Sequence, residues 1–345
     1  MTKRRAFIRK MSLATAGLTI PGMVMPEMNP SETKIWACLL HLSFNMWEEY
    51  ISPHRPFRGY RADIELSEQL WSDAVAKMTS EGMNMIIIDL GDAVRYDSHP
   101  EIAVNNAWTT TRLADELNKI RLAGLEPIPK MNFSAGHDTW LGEYSKMVST
   151  SRYYQVCSDL INEVCELFGK PRYFHLGMDE ENAGHQSHYK HIVVRQGEEW
   201  WNDFAYLVES VEKNNSRAWI WSDYMLWNFP DQFFKKMPGS VIQSNWYYEE
   251  DFDLYRVDGS LNKYVKAYLD LEKGGYDQIP TGSYHAENEK SILNTVDFCS
   301  SNITSKRLLG FLQTFWKPTI EENRKRIIKG IELCGDAKRS FKTRK

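Results

Sequence analysis

The sequence of 345 residues has few cysteines and none of the short motifs through which cysteines bind metals or carry out redox chemistry. Five are present, an odd number, and no two stand in a Cys-x-x-Cys pair, so a zinc or redox motif is unsupported. Cys38 lies in an apolar run, and Cys157 and Cys165 lie about two turns apart on one predicted helix. We therefore expect free thiols in the core, although one disulfide stays possible in an exported chain.

Long runs of like charge are missing as well. The net charge is −4, and no long basic run follows the N-terminus, which argues against a nucleic-acid partner. The basic residues near the C-terminus, from Arg324 to Lys345, fit a solvated last helix and tail. The expected partner is a small or polymeric ligand, and the oligomeric state is left open.

The N-terminus has the features of an export signal. Arg4 and Arg5 precede a mostly apolar run from Met11 to about Met25. This order resembles a bacterial twin-arginine signal, and the run is too short and too rich in glycine and proline for a comfortable transmembrane helix. We therefore expect residues 1–30 to direct export to the periplasm or beyond, without stable membrane insertion. The alternative is a disordered basic tail on a cytoplasmic protein.

The remaining chain alternates about eight times between short apolar runs and longer amphipathic stretches. Such repetition predicts a parallel sheet with helical crossovers, and no G-x-G-x-x-G motif favours a dinucleotide-binding fold. Eight repeats over about 310 residues fit a closed barrel, so we predict an α/β fold, a single-domain (β/α)8 TIM barrel at residues 31–345 with a C-terminal helix. The predicted strands are 34–42, 84–90, 126–133, 173–178, 217–221, 241–246, 278–283 and 309–316. The predicted helices are 67–78, 110–123, 155–168, 198–212, 261–271, 290–298 and 320–334.

Polar and aromatic residues follow every predicted strand. The reactive residues of a (β/α)8 barrel come from the carboxyl ends of its strands. Carboxylates walled by aromatic rings have the composition of a sugar site, and the chain has 12 tryptophans and 17 tyrosines to supply such rings. In chain order these strand-end residues are His41, Asn45, Trp47, Asp89, Asp92, Asn132, His137, Asp138, Trp140, Asp179, Glu180, Glu181, Trp221, Asp223, Asn245, Trp246, Tyr247, Tyr248, Tyr284, His285, Glu287, Gln313 and Trp316.

The sharpest motif follows the fourth predicted strand, where residues 173–181 read YFHLGMDEE. This segment resembles the H-x-G-x-D-E signature of family 20 glycoside hydrolases, the β-N-acetylhexosaminidases. The four fixed positions are matched by His175, Gly177, Asp179 and Glu180. A simpler interpretation, that the acidic residues only cap the loop after the strand, remains open.

Other segments are similar to the same family. Residues 128–137 read IPKMNFSAGH, close to the third-strand pattern I-P-E-I-D-x-P-G-H, but with Lys130 and Asn132 in place of acids and one residue inserted. Trp221, Trp246 and Trp316 fall where the family keeps tryptophans. The resemblance also has gaps, because no small α/β domain and no first-strand arginine that grips sugar hydroxyls are found. The last strand continues with 316–318, WKP, where W-x-E is expected, which points to a different sugar.

The resemblance implies a mechanism as well as a fold. Glu180 would be the general acid, and Asp179 would orient the substrate's acetamido group, which acts as the nucleophile in a substrate-assisted, retaining removal of terminal N-acetylhexosamine. A general acid must hold a proton near neutral pH, so we expect Asp179 to raise the pKa of Glu180 by like-charge repulsion. No metal or cofactor is implied. The predicted substrate-binding residues are Asp89, Asn132, His137, His175, Trp221, Asp223, Trp246, Tyr247, Tyr284 and Trp316.

Two other functions stay open. One is a non-catalytic carbohydrate-binding barrel. The other is an exported metal-dependent sugar isomerase or epimerase, although no compact ligand motif such as H-E-x-x-H occurs. Its candidate metal ligands are His41, Asp89, His137, His175, Asp179, Glu180, His285 and Glu287.

Overall fold

The apolar runs of the sequence form the strands of a parallel sheet. The structure, a computed structural model, describes residues 34–254 and 259–343, and the predicted export signal lies outside them. Eight strands pair in parallel in the order β8-β7-β6-β5-β2-β1-β10-β9, and β3 and β4 form a separate pair. The strands are β1 (Ile35–His41), β2 (Met85–Asp89), β3 (Val94–Arg95), β4 (Trp108–Thr109), β5 (Glu126–Lys130), β6 (Tyr173–His175), β7 (Arg217–Trp221), β8 (Ile242–Ser244), β9 (Thr281–Ser283) and β10 (Gly310–Thr314).

The first and last strands of that order, β8 and β9, close the sheet into a barrel. Gln243 bridges Gln278 and Trp246 bridges Thr281, both in parallel, and the amide of Ile279 donates to the carbonyl of Gln243 at 3.0 Å. The predicted (β/α)8 barrel is therefore confirmed, and each predicted strand contains one strand of the barrel.

Helices connect the strands and cover the outside of the barrel. Every predicted helix overlaps an observed one, whereas the short α5 and α6 were not predicted. α3 begins before its predicted start because the hydroxyl of Thr150 accepts a hydrogen bond from the amide of Tyr153 and caps the helix. The helices are α1 (Glu68–Ser80), α2 (Thr110–Leu122), α3 (Ser151–Leu167), α4 (Gly197–Glu212), α5 (Asp223–Asn228), α6 (Pro230–Lys236), α7 (Gly259–Lys273), α8 (Ser291–Asn302) and α9 (Arg324–Thr343).

Apolar side chains form two cores, one inside the barrel and one between the barrel and its helices. Because successive strand residues point to opposite faces, Ala37 and Leu39 of β1 pack inside, whereas Cys38 and Leu40 pack outside against the helices. All five cysteines are buried with free thiols, as predicted. Among the described residues, no helix has the length and apolar character needed to cross a membrane.

Candidate active site

The chain turns sharply after β6, and this turn needs a glycine. Gly177 has a φ of +75°, and a Cβ added to it would lie 1.9 Å from Oδ1 and 2.8 Å from Cα of Asn132. Met178 and Glu180 also have positive φ, of 75° and 47°, which costs on the order of 1–3 kcal/mol for each residue. Only glycine allows β6 to approach the segment after β5 this closely, and the turn directs Asp179 and Glu180 into the mouth of the barrel.

Asp179 is held rigidly in this turn. The amide of Asn132 donates to its Oδ1 at 2.8 Å, and Nε2 of the buried His137 lies 3.3 Å from its Oδ2. Asn132 is itself fixed, since its Oδ1 accepts from the backbone amides of Ser134 and Met178. The carboxylate of Asp179 therefore has one defined orientation.

Glu180 lies between two histidines. Its Oε2 is 3.4 Å from Nε2 of His137 and 2.9 Å from Nε2 of His185, and its backbone amide donates to Asp223. Burial raises the pKa of Glu180, but the hydrogen bonds and charges of both histidines outweigh burial and lower that pKa below its ordinary value. The expectation that Asp179 raises the pKa of Glu180 is therefore wrong in this structure.

The pKa of His137 shifts in the opposite direction to that of Glu180. Burial lowers the pKa of His137, but the charges and hydrogen bonds of Asp179 and Glu180 outweigh burial and raise it to about 10. A third carboxyl behaves differently, because burial and the charges of Asp179 and Glu180 raise the pKa of Asp223 well above its ordinary value. The mouth of the barrel thus brings together groups whose pKa values are shifted in opposite directions.

Aromatic rings wall this cluster. The indole of Trp246 donates to Oδ1 of Asp223 at 3.1 Å and stacks on Tyr248 with ring centroids 5.0 Å apart. The indole of Trp316 donates to the hydroxyl of Tyr248, and its ring lies 5.6 Å from Trp221. Trp246 and Trp316 are half-buried, whereas Trp221 is fully buried beneath them. A groove of about 910 Å³ opens beside Trp246 and Tyr248.

Two predicted binding residues, Tyr247 and Tyr284, pack against the outer core. The hydroxyl of Tyr247 donates to the carbonyl of Asp251, and its ring packs on Phe252 in the outer core. Tyr284 also belongs to the outer core. Tyr247 nevertheless lines the groove beside Trp246 and Tyr248, so its binding role stays a prediction. Tyr284 has the outward-facing position in the strand alternation, which does not support a binding role. Their neighbours Tyr248 and His285 face the cup, with ring centroids 5.3 Å apart.

Asp89 and His175 lie inside the barrel rather than beside Glu180. Oδ2 of Asp89 is 2.6 Å from Nζ of Lys130 and 3.2 Å from Nδ1 of His41. Burial raises the pKa of Asp89, but the charge of Lys130 and the hydrogen bond with His41 outweigh burial and lower that pKa. His175 accepts a hydrogen bond from the amide of Gly177, and burial, together with the charge of Lys130, lowers its pKa well below the usual value. Both residues support the floor of the site from below.

The sequence analysis did not reveal the roles of His185 and Arg195. His185, in the loop after β6, belongs to no local motif, and only the fold brings it to Glu180. Glu181 is turned away from the cup into a buried ion cluster, where Arg195 lies 2.6 Å from Glu181 and 3.0 Å from Asp203. Glu181 therefore anchors the loop that carries its neighbours.

Only part of the proposed metal-ligand set comes together. His137, Asp179 and Glu180 each offer a ligand atom, and these atoms lie within 4.8 Å of one another. His41 and Asp89 instead pair with each other inside the barrel, and Glu287 pairs with Arg326 of α9 at 2.6 Å.

Replacing Gly177 with alanine is expected to abolish most activity. The added methyl group would collide with both the side chain and the backbone of Asn132, so the turn must shift and Asp179 loses its hydrogen bond. Gly124→Ala is the matched control, because Gly124 has a φ of +86° but nothing within 4 Å of an added Cβ. Activity and thermal unfolding of both variants check this, and equal loss of activity in the two variants would contradict it.

Comparison with known proteins identifies the fold. No protein-family model matches the sequence, and no curated protein matches it. Solved structures do match. A chitobiase of Flavobacterium johnsoniae aligns with a TM-score of 0.56 at 14% identity, covering 89% of this chain and 52% of its own.

Two further structures give the same result. A β-N-acetylhexosaminidase of Bacteroides fragilis aligns with a TM-score of 0.59 at 13% identity, over 87% of this chain and 65% of its own. An N-acetyl-β-hexosaminidase of Streptomyces plicatus aligns with a TM-score of 0.58 at 13% identity, over 87% of this chain and 63% of its own. The chain thus spans between half and two thirds of these proteins. It has the barrel fold that these β-N-acetylhexosaminidases share.

Proposed function

We propose that the protein is a glycoside hydrolase that removes terminal N-acetylhexosamine from glycans. The observation that carries this proposal is the pair Asp179 and Glu180, held together by His137 in a cup walled by Trp246 and Trp316. Flat indole rings suit the apolar faces of a sugar ring, and the adjacent carboxylates suit the chemistry at its anomeric carbon.

Asp179 has the position of an orienting residue in this mechanism. Asn132 and His137 occupy defined sides of its carboxylate, so it can accept a hydrogen bond from the N–H of a substrate acetamido group. That contact turns the acetamido oxygen toward the anomeric carbon, where it attacks as the nucleophile. Water then opens the resulting cyclic intermediate, and the configuration of the sugar is retained.

Glu180 receives its proton from His137. The raised pKa of His137 and the lowered pKa of Glu180 favour the proton on His137 before the sugar binds. A sugar that covers Glu180 removes it from water, which raises its pKa, and Nε2 of His137 lies 3.4 Å from Oε2 of Glu180. Glu180 then protonates the leaving oxygen, and in the second step it accepts a proton from the attacking water. The two groups therefore titrate as a pair.

The structural neighbours support this choice of sugar. The Streptomyces plicatus enzyme was solved as a variant with its product N-acetylglucosamine, and a Vibrio harveyi exo-β-N-acetylglucosaminidase was solved with the same sugar. At identities of 11–12% these neighbours support a proposal about substrate and establish only the fold.

A screen of purified protein against aryl glycosides tests the proposal. Paired substrates with and without a 2-acetamido group should differ strongly, with cleavage confined to the acetamido member. Each pair is assayed in chelator and in added divalent metal, and unchanged rates are expected in both. Cleavage of the 2-hydroxy substrate alone, or of neither, would overturn the proposed function.

One observation favours a second candidate, a metal-dependent sugar isomerase or epimerase. The ligand atoms of His137, Asp179 and Glu180 lie close enough together to hold a divalent cation. The chelator arm of the screen separates the two candidates, because loss of activity in chelator and its recovery with added metal would favour this one.

We also propose that the protein is exported by the twin-arginine route, on the strength of Arg4 and Arg5 before the apolar run. Changing both to lysine is expected to keep the precursor in the cytoplasm, as measured by cell fractionation and immunoblotting. Unchanged export of the double variant would contradict the proposal.

A further inference from the structure

A pair of cations lies on the rim of the aromatic cup. The guanidinium of Arg58 lies over the ring of Trp47 at 4.2 Å. That ring is 4.7 Å from the ring of His137 and 5.8 Å from Trp316. Through Trp47, Arg58 therefore packs against the aromatic side chains that surround Glu180.

Lys317 joins this rim from the other side. It follows Trp316 directly in the sequence, and its ammonium group lies 3.8 Å from the ring centroid of Phe57, the neighbour of Arg58. Arg58 and Lys317 are both half-buried. The ring contacts and the chain connectivity thus place two positive charges near one another at the entrance of the cup.

Neither cation is neutralised by the protein. Within the described ranges 34–254 and 259–343, the side chains of Arg58 and Lys317 form no ion pair and no hydrogen bond, and Nε of Arg58 is shielded from solvent without a partner. Burial and the charge of Arg55 lower the pKa of Arg58, and Glu180 and Glu48 oppose this only through their charges at longer range. By contrast, the nearby Arg326 is bound to Glu287 at 2.6 Å.

The unneutralised charge affects the surrounding groups. Burial and the charges of Arg326, Arg58 and Arg55 lower the pKa of Lys317. Burial and the charges of Lys317, Arg326 and Arg58 lower the pKa of His285 to about 4. A half-buried cation without a counter-ion is costly, and the positive potential here is directed at the cup.

We propose that the substrate supplies the counter-ion of this rim: its terminal sugar carries a sulfate ester or a carboxylate that binds between Arg58 and Lys317. This inference rests on the proposed glycosidase function. The planar guanidinium of Arg58 and the point charge of Lys317 both suit oxyanions. A glutamate at the third position of the W-x-E pattern would repel an anionic group on the sugar. This chain has Pro318 at that position, directly after Trp316 and Lys317.

Matched aryl β-glycosides of N-acetylglucosamine test the proposal. One is neutral, one carries a 6-sulfate, and one carries a carboxylate at the same carbon, so the two anionic arms distinguish the two sources of charge. At low ionic strength, kcat/KM is expected to be about tenfold or more higher for an anionic substrate than for the neutral one, as a charge-assisted hydrogen bond provides. Added salt should reduce this preference.

Lys317→Met keeps the length of the side chain and removes its charge. It is expected to lower the ratio of anionic to neutral kcat/KM by about tenfold, whereas Lys325→Met, the loss of an exposed lysine on α9, should leave the ratio unchanged. A neutral substrate that is cleaved as well as both anionic ones, or a ratio unaffected by Lys317→Met, would overturn the inference while the proposed function stands.

Binding separates the two proposals when turnover fails. If no substrate is cleaved, the proposed function is wrong, and calorimetry with N-acetylglucosamine and its 6-sulfate then decides the inference. Tighter binding of the sulfate that disappears in Lys317→Met would support the anionic rim. Equal binding of both sugars would overturn it.

Discussion

Glu180→Gln is expected to lower kcat/KM by about 10²–10⁴-fold on substrates with poor leaving groups. Glutamine keeps the shape of the side chain but cannot donate the proton. An activated aryl leaving group departs with little protonation, so the same variant should lose far less activity on that substrate. Initial rates on the two substrate types measure the difference.

Asp179→Asn provides the matched comparison. Orientation of the acetamido group is needed for every leaving group, so this variant should lose activity on both substrate types to a similar extent. Near-wild-type rates of Glu180→Gln on both types would remove Glu180 from the mechanism. Near-wild-type rates of Asp179→Asn on both substrate types would contradict the role of the acetamido group as the nucleophile.

Arg195→Met is expected to lower the free energy of unfolding by about 3–5 kcal/mol. The guanidinium of Arg195 is buried and binds Glu181 at 2.6 Å, Asp203 at 3.0 Å and the carbonyl of Phe133 at 2.8 Å. Removing it leaves two carboxylates buried without a counter-ion. Urea denaturation measures the loss, and activity should fall with it because Glu181 adjoins Glu180.

Arg172→Met is the control for that measurement. Arg172 also pairs with a carboxylate, Glu126, but both side chains are substantially exposed, and such pairs contribute about 0–1 kcal/mol. Similar losses of stability in Arg195→Met and Arg172→Met would show that burial does not determine how much an ion pair contributes to the free energy of unfolding.

Alternation along the strands explains which site residues the sequence predicted. In β1, the alternate residues Ile35, Ala37 and Leu39 point into the barrel. The same alternation, continued past the end of β8, places Trp246 and Tyr248 on the inner side. The choice of Tyr284 ignored this alternation, although the information is local and present in the sequence. The barrel itself was predictable for the same reason, because its strands and helices are each specified by a local pattern.

Long-range contacts could not be predicted in this way. No local signal connects His185 with Glu180 or Arg195 with Asp203, because loops bring each pair together. The direction of the pKa shift of Glu180 was predicted wrongly for the same reason. The adjacent Asp179 is visible in the sequence, whereas the contacts with two histidines that outweigh burial are not. Local patterns thus predict which strand carries a group, and the fold determines what that group contacts.

The most direct test of the central proposal is the anomeric configuration of the first sugar released from an aryl 2-acetamido-β-glycoside, followed by ¹H NMR. Attack by the acetamido oxygen, with Asp179 orienting it and Glu180 donating the proton, predicts that the β-anomer appears first and then mutarotates. First appearance of the α-anomer, or no release of sugar, would contradict the proposed mechanism.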